Sequence, residues 1–476
     1  MFFHSQAYLV FFAIVFTAYW LLPWRRIRVY LLVAASITFY AFWSKQLAFL
    51  VVSTSVMDYL LARGMDSAKS KGWRRFYLGA SLCVNLGLLC YFKYANFFLE
   101  ALNESLNLVG GGGAFPYLSV IVPFGISFYT FEAISYTIDV YRRKIPAEKS
   151  LPNFMLFILF FPHLVAGPIV RARDFLPQAA KPKRFSWPRM QLGIEYFLLG
   201  LFKKMVIADS MALYSDPVFA DGSDPSKLTT YTVWLGVLAF AVRIYCDFSG
   251  YSDMALGSAY MLGYKLTINF RMPYISKNVS EFWRRWHISL STWLRDYLFI
   301  PLGGSKGTRW NTCRNLMITM ALGGLWHGAN WSFVIWGVLH GLLLVAHRFF
   351  RDFAEARPKL KSLLETWIGT LFRIGLTGFC VCMCWIFFQP SLTKSMAILE
   401  RMFVPGGLVG MPIATDRLKL FLLILIVSHV VVAAGLWIKW ARRIPAPLLG
   451  LSYAMLLTLS LLLSPDTSKT FIYFQF

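Results

Sequence analysis

Charge is what this sequence has least of. Only 15% of its 476 residues are charged, against about 25% in an ordinary soluble domain. Acidic side chains are the scarcer kind, 23 against 47 basic ones. With 57% of the residues hydrophobic, the chain does not read as a water-soluble globular domain. Cysteine is poor as a ligand source: the seven cysteines form no CxxC pair. Cys380, Cys382 and Cys384 alternate along an apolar helical stretch, where positions i and i+2 point to different faces. Three such thiols cannot converge on one ion, so no metal is expected and they read as small apolar residues. The sequence also lacks a Walker A loop, a GxSxG elbow and an HExxH helix, which argues against an ATP-driven pump or a zinc hydrolase. No basic residue precedes the first apolar run, 7–22, and no small-residue cleavage site follows it, so it reads as a retained span rather than a signal peptide.

What is present is a succession of apolar runs. Those at 76–98, 418–437 and 448–463 are near the ~17–25 residues that cross a hydrocarbon core. The net charge of +24 is distributed in alternation along the connections between runs. The segments 23–28, 63–75, 141–150, 171–189, 265–315, 348–361 and 439–443 hold 35 Lys and Arg. The intervening set, 44–46, 99–114, 209–230, 389–417 and 465–476, holds 6. The positive-inside rule makes the first set cytoplasmic, so the basicity orients the protein and no nucleic-acid partner is expected.

Drawn on that basis, the chain is an all-α polytopic membrane protein with ten full spans, or twelve if the hairpin at 316–347 crosses, and both ends outside. It reads as one domain, 1–476, with N-terminal spans in 1–98, a core in 115–350, C-terminal spans in 364–464 and an extracytoplasmic tail, 465–476. The stretch 151–170 carries Pro152, Pro162 and Pro168 and has basic loops on both sides. A segment with the same side at both ends enters and turns back, which needs protein or water to satisfy its backbone.

Three stretches can carry chemistry. In LGGLWHGANW at 322–331, His327 lies at bilayer depth between glycines, with Trp326 and Trp331 placed to exclude water. Burying an ionisable residue there is costly, and a neutral imidazole can serve as a general base, the alternative being a core histidine bonded to a carbonyl. In EFWRRWHISLSTWLRDY at 281–297, a continuous helix would put Trp283, His287 and Ser291 on one face. Arg284, Arg285 and Arg295 supply cations at the cytoplasmic boundary, suited to phosphates. An amphipathic interfacial helix would look the same. In YCDFSGYSD at 245–253, Asp247 and Asp253 are placed to orient a histidine or to pair with Arg284 or Arg285.

These stretches, together with PFGISFYTFEAISYTIDVYR at 123–142 and FPHLVAGP at 161–168, resemble the membrane-bound O-acyltransferase (MBOAT) family, in particular its bacterial alginate and polysaccharide O-acetyltransferase branch. The resemblance runs from about residue 90 to 340. It implies a ring of helices with re-entrant segments, a cytosolic entrance for an acyl thioester and an outer funnel for the acceptor. It places the family's intramembrane histidine at His327 and its second functional histidine at His287. The donor expected is acetyl-CoA, held near Arg284, Arg285, Trp283 and Trp286. The expected partners are a polysaccharide acceptor (alginate-like, cellulose or peptidoglycan), membrane lipid and an extracytoplasmic hydrolase-like acetyltransferase. The expected site of action is the cell inner membrane. A lipid-modifying acyltransferase and a flippase of an acylated carrier are the alternatives. Finally, the apolar tail ends FIYFQF, which resembles the C-terminal tyrosine motif of bacterial MBOAT systems and implies that Tyr473 carries the acyl group. The alternative is an aromatic anchor at the interface.

Overall fold

A backbone at bilayer depth has to satisfy its own N–H and C=O groups, and this sequence does so with helices. The computed structural model describes residues 1–108, 110, 115–411, 413–437, 444–465 and 471–472. Among them there is no β-strand, only an isolated bridge between Leu228 and Val409. The helices are α1 Gln6–Leu21, α2 Arg25–Ala41, α3 Lys45–Ser67, α4 Lys71–Leu89, α5 Ala95–Leu108, α6 Ile126–Tyr141, α7 Leu151–Leu159, α8 Ala172–Ala179, α9 Trp187–Phe202 and α10 Asp209–Phe219. They continue with α11 Thr230–Met261, α12 Val279–Arg285, α13 Ile288–Leu294, α14 Arg309–His327, α15 Trp331–Glu355, α16 Pro358–Glu365, α17 Trp367–Trp385, α18 Leu392–Phe403, α19 Asp416–Ala433 and α20 Ala446–Leu462. Five of the described helical segments are long and apolar enough to cross a membrane: Lys45–Ser67, Lys71–Leu108, Thr230–Met261, Trp331–Glu355 and Trp367–Trp385. Gln6–Leu21 and Ala446–Leu462 are shorter apolar helices. The chain is therefore an all-α polytopic membrane protein.

It divides into two compact units, one of residues 1–197 and 252–267 and one of 198–251 and 268–476. In the first, the stretch 151–170 is helical only over α7 and then turns repeatedly, with every residue from 153 to 170 buried. Protein satisfies its backbone, as a re-entrant path requires. The Phe161 N–H donates to Ser36 Oγ at 3.1 Å, and the Val170 N–H to Glu132 Oε1 at 2.7 Å. That same Glu132 oxygen lies 3.2 Å from His163 Nδ1. Nearby in sequence terms, α3 and α4 are pinned by Asp58, which accepts from Ser81 at 2.6 Å and from Asn85 at 2.9 Å.

The second unit is organised around α11 and the α14–α15 hairpin. The hairpin breaks at Gly328–Asn330, where Asn330 caps α15 by accepting the Ser332 N–H at 2.9 Å. Its two helices touch backbone to backbone. A Cβ added at Gly324 would lie 3.1 Å from the Gly337 Cα, and one at Gly337 would lie 3.1 Å from the Gly324 Cα and collide with the Met320 carbonyl. Overpacking of this kind typically costs ~1–3 kcal/mol. Gly337→Val is therefore expected to lower the thermal unfolding midpoint of the detergent-purified protein. An unchanged midpoint would mean that the hairpin can open without loss.

Candidate active site

α14 ends on His327 because Gly328 leaves the helical region and the Asn330 cap starts a new helix. The imidazole is 4% exposed and is held in an aromatic cage. Trp326 lies at 4.9 Å, Trp336 at 5.0 Å and Phe388 at 5.1 Å between ring centroids, all three close to edge-on. Trp331, expected in this wall, is 54% exposed. The wall that α15 supplies is Trp336, five residues further along the helix. The same face of α15 then carries His340, fully buried, 4.8 Å from Trp336 and 5.1 Å from Trp283.

His287 joins this group, with its ring 6.5 Å from that of His327. It does so from a broken helix. The expected single face of Trp283, His287 and Ser291 does not exist, because His287 has φ +42° and separates α12 from α13. The cause is distant in sequence. The Asn269 carbonyl accepts the Ile288 N–H at 3.0 Å and its side chain accepts the Ser289 N–H at 3.2 Å, so the chain turns at 287. The left-handed backbone is unusual for a residue with a Cβ, and local strain of this kind gathers at functional sites. The buried imidazole meets Phe248 edge-on at 4.7 Å and Trp326 at 6.1 Å.

The cations are less available than the sequence suggests. Asn278 caps α12 by accepting the Glu281 N–H at 2.8 Å, and this brings Glu281 under Arg285, with which it pairs at 2.8 Å. Partial burial opposes ionisation of Glu281, but the Lys277 amide and Arg285 outweigh it and hold the carboxyl below its usual range. Arg295 pairs with Asp296 at 2.8 Å, while Arg284 is exposed. Trp286 is buried among Phe270, Phe282 and Trp385, and Trp283 packs on Trp336. Asp247 turns to Lys204, at 2.8 Å, and not to a histidine or to Arg284 or Arg285. Asp253 falls in the first unit.

Two cavities in the second unit bear on the site, the first of them sharing a wall with the His327 cage. One, of about 440 Å³, is lined by Asp216, Phe219, Arg243, Phe388, Gln389 and Ile472. Arg243 binds Asp216 at 2.6 Å, and Phe388 is a wall of the His327 cage. The other, of about 360 Å³, has an apolar floor that includes Val279 and Leu343, with Lys277, Arg351, Lys361 and Arg373 around it. Tyr473 lies outside the described residues, though Phe471 and Ile472 before it are described. Among the described residues no group of His, Cys, Asp and Glu is arranged to hold a metal. Lys204, Arg243, Trp336, His340 and Phe388 are the contributors that sequence reading missed. For Lys204 and Arg243 there was a signal, since each is a charge inside an apolar helical run, Lys204 beside Lys203 and Arg243 four residues before Asp247.

Residues 89–389, which include both histidines, match the MBOAT, membrane-bound O-acyltransferase family. The chain is 42% identical over 410 residues to the probable alginate O-acetylase AlgI of Azotobacter vinelandii, a match covering 85% of this chain and 77% of that one. It is 36% identical over 407 residues to the peptidoglycan O-acetyltransferase of Helicobacter pylori, covering 79% and 74%. It is 29% identical over 279 residues to the teichoic acid D-alanyltransferase of Bacillus subtilis, covering 54% and 66%. Similarity that spans the caged histidines and most of the chain on either side of them makes the protein a member of the membrane-bound O-acyltransferase family, and an O-acyltransferase.

Proposed function

We propose that this enzyme takes acetyl groups from acetyl-CoA at the cytoplasmic side of the inner membrane and delivers them to hydroxyls of an exported polysaccharide outside. The observation that carries this reading is the position of His327, a buried imidazole in an aromatic cage, one wall of which also lines a polar cavity. His327 removes the proton from an acceptor hydroxyl, the oxygen attacks the thioester carbonyl, and the C–S bond breaks. The thiolate takes the proton back from the imidazolium and leaves as free CoA. Holding donor, base and hydroxyl together away from water supplies proximity and suppresses hydrolysis.

The polysaccharide acceptor is supported by the relatives, two of which are named for alginate and peptidoglycan O-acetylation. The cavity beside Phe388, with its carboxylates, Arg243 and Gln389, has the hydrogen-bonding side chains that sugar hydroxyls require. On the donor side, the cavity lined by Lys277, Arg351, Lys361 and Arg373 carries four cations against two carboxylates, Glu355 and Glu365, and although Arg351 pairs with Asp352 at 3.1 Å, this excess of positive charge suits the phosphates of CoA. Tyr473 relays the acetyl group, and an extracytoplasmic hydrolase-like partner completes its transfer to polymer.

Purified protein given labelled acetyl-CoA and a glycan acceptor tests the reading: free CoA and labelled glycan should appear together. Labelled phospholipid would identify a lipid-modifying enzyme, and no CoA release at all would favour a flippase. His287→Ala is expected to raise the KM for acetyl-CoA before it lowers kcat, because the ring stands beside His327 and does not carry its proton. A fall in kcat with KM unchanged would move His287 into the chemical step.

A further inference from the structure

The last two described residues are among the most enclosed in the protein. Phe471 and Ile472 each expose 1% of their surface, the opposite of an aromatic anchor lying along an interface. The Phe471 ring stacks on Tyr251 at 4.7 Å and comes within 6.0 Å of Phe248, the ring that meets His287. Ile472 forms part of the cavity wall beside Phe388.

The main chain is held as firmly as the side chains. The Ile472 N–H donates to Asp247 Oδ2 at 2.7 Å. The other oxygen of that carboxylate meets Lys204 Nζ at 2.8 Å, and Lys204 also donates to Asp209 Oδ1 at 2.9 Å. All three side chains are 3% exposed or less. A carboxylate this deeply buried gains from each polar hydrogen it accepts. The tail supplies one from its backbone.

The supports of this cluster come from separate elements. Lys204 stands on a π-helical stretch, Lys203–Ala208, a rare geometry found often at functional sites. Gly250 lets α11 come close to it, since a Cβ there would lie 2.7 Å from the Gly200 carbonyl and 3.1 Å from the Lys204 nitrogen.

We propose that Asp247, Lys204 and Asp209 are a seat for the C-terminal tail, with Asp247 as the positioning residue that fixes the register of the main chain at Ile472. A backbone N–H is common to every residue but proline, so the seat reads position along the tail and not side-chain identity. It thereby sets which side chain comes next. The inference rests on the proposed role of Tyr473 only for the purpose of the seat; the seat itself is argued from its contacts with Phe471 and Ile472.

The test removes one hydrogen-bond donor. Incorporating the α-hydroxy acid analogue of isoleucine at 472 of the full-length chain turns the 471–472 amide into an ester, which replaces the N–H donor by an oxygen and keeps every side chain. Carboxypeptidase trimming, read by intact mass, reports seating, and labelled acetyl transfer reports use. Wild type is expected to resist trimming at Ile472, whereas the ester form is trimmed past it. The ester form should lose about tenfold in kcat, the worth of one such hydrogen bond, with the KM for acetyl-CoA unchanged. Asp247→Ala should behave alike, and the ester decides the matter if that variant does not fold. Equal trimming of wild type and ester overturns the seat. Trimming with no loss of kcat overturns the positioning role. Tyr473→Phe keeps the two readings apart: it should resist trimming while losing transfer. Full transfer by Tyr473→Phe, with the ester form still trimmed, would end the carrier reading and leave the seat standing.

Discussion

A His327→Ala protein is expected to insert into the membrane at normal levels and to lose acetyl transfer by ~10²–10⁴-fold, the range over which a positioned general base contributes. The fold should survive because the imidazole does not hold the hairpin together. That is done by the contact of Gly324 with Gly337 and by the Asn330 cap. Substitution leaves a void among Trp326, Trp336 and Phe388, of which Trp336 and Phe388 also pack on each other at 5.1 Å. Free CoA release and label in the glycan are the readouts, with expression and thermal midpoint as controls. Turnover near wild type in a folded His327→Ala protein would remove this residue from the chemistry.

Tyr473→Phe should be nearly as severe for delivery to polymer, with no loss of protein, because it keeps the aromatic ring and deletes only the hydroxyl. Acidity is the reason to expect a tyrosine in this place. Moving a proton from a phenol, pKa about 10, to an imidazole, about 6.5, is uphill by roughly 5 kcal/mol. From a hydroxyl as weak as water, about 15.7, the same step is uphill by roughly 12 kcal/mol. A phenol relay thus lowers the demand on His327 by about 7 kcal/mol in this comparison. An acetyl ester on Tyr473, trapped when acceptor is withheld and found by mass spectrometry, is the positive form of the result. Full polymer acetylation by the phenylalanine variant would leave the tail without a chemical role.

The helical, membrane-spanning character could be read from the chain because apolar runs of spanning length are a local property, as is the glycine-flanked break that ends α14 on His327. The arrangement around His287 could not. Its helix is interrupted by Asn269, 18 positions upstream, and no periodicity within 281–297 records that capture. The cage was hidden for a related reason. In a chain that is 17% aromatic, nothing local distinguishes Trp336 and Phe388, which touch the histidine, from the many aromatic residues that pack elsewhere. Asp247 was noticed, but as a partner for histidine or arginine. Its actual partners are a lysine on another helix and an amide 225 residues away, and only the folded chain brings them together.

The bare contact of Gly324 with Gly337 has a consequence for how such an enzyme diversifies. Where two backbones meet with no side chain between them, no rotamer is left to absorb a change, so the Met320–Gly324 and Phe333–Gly337 segments must be inherited as a block. Drift at one position would displace the imidazole before any compensating change could arise at the other. On the proposed reading, new substrate preferences then have to be written elsewhere, in walls built of side chains, such as Phe219, Arg243 and Gln389 of the cavity beside Phe388. Libraries aimed at altered acceptor choice should vary those walls and leave the hairpin untouched, and the surviving variants should differ in selectivity far more than in the pH at which they work.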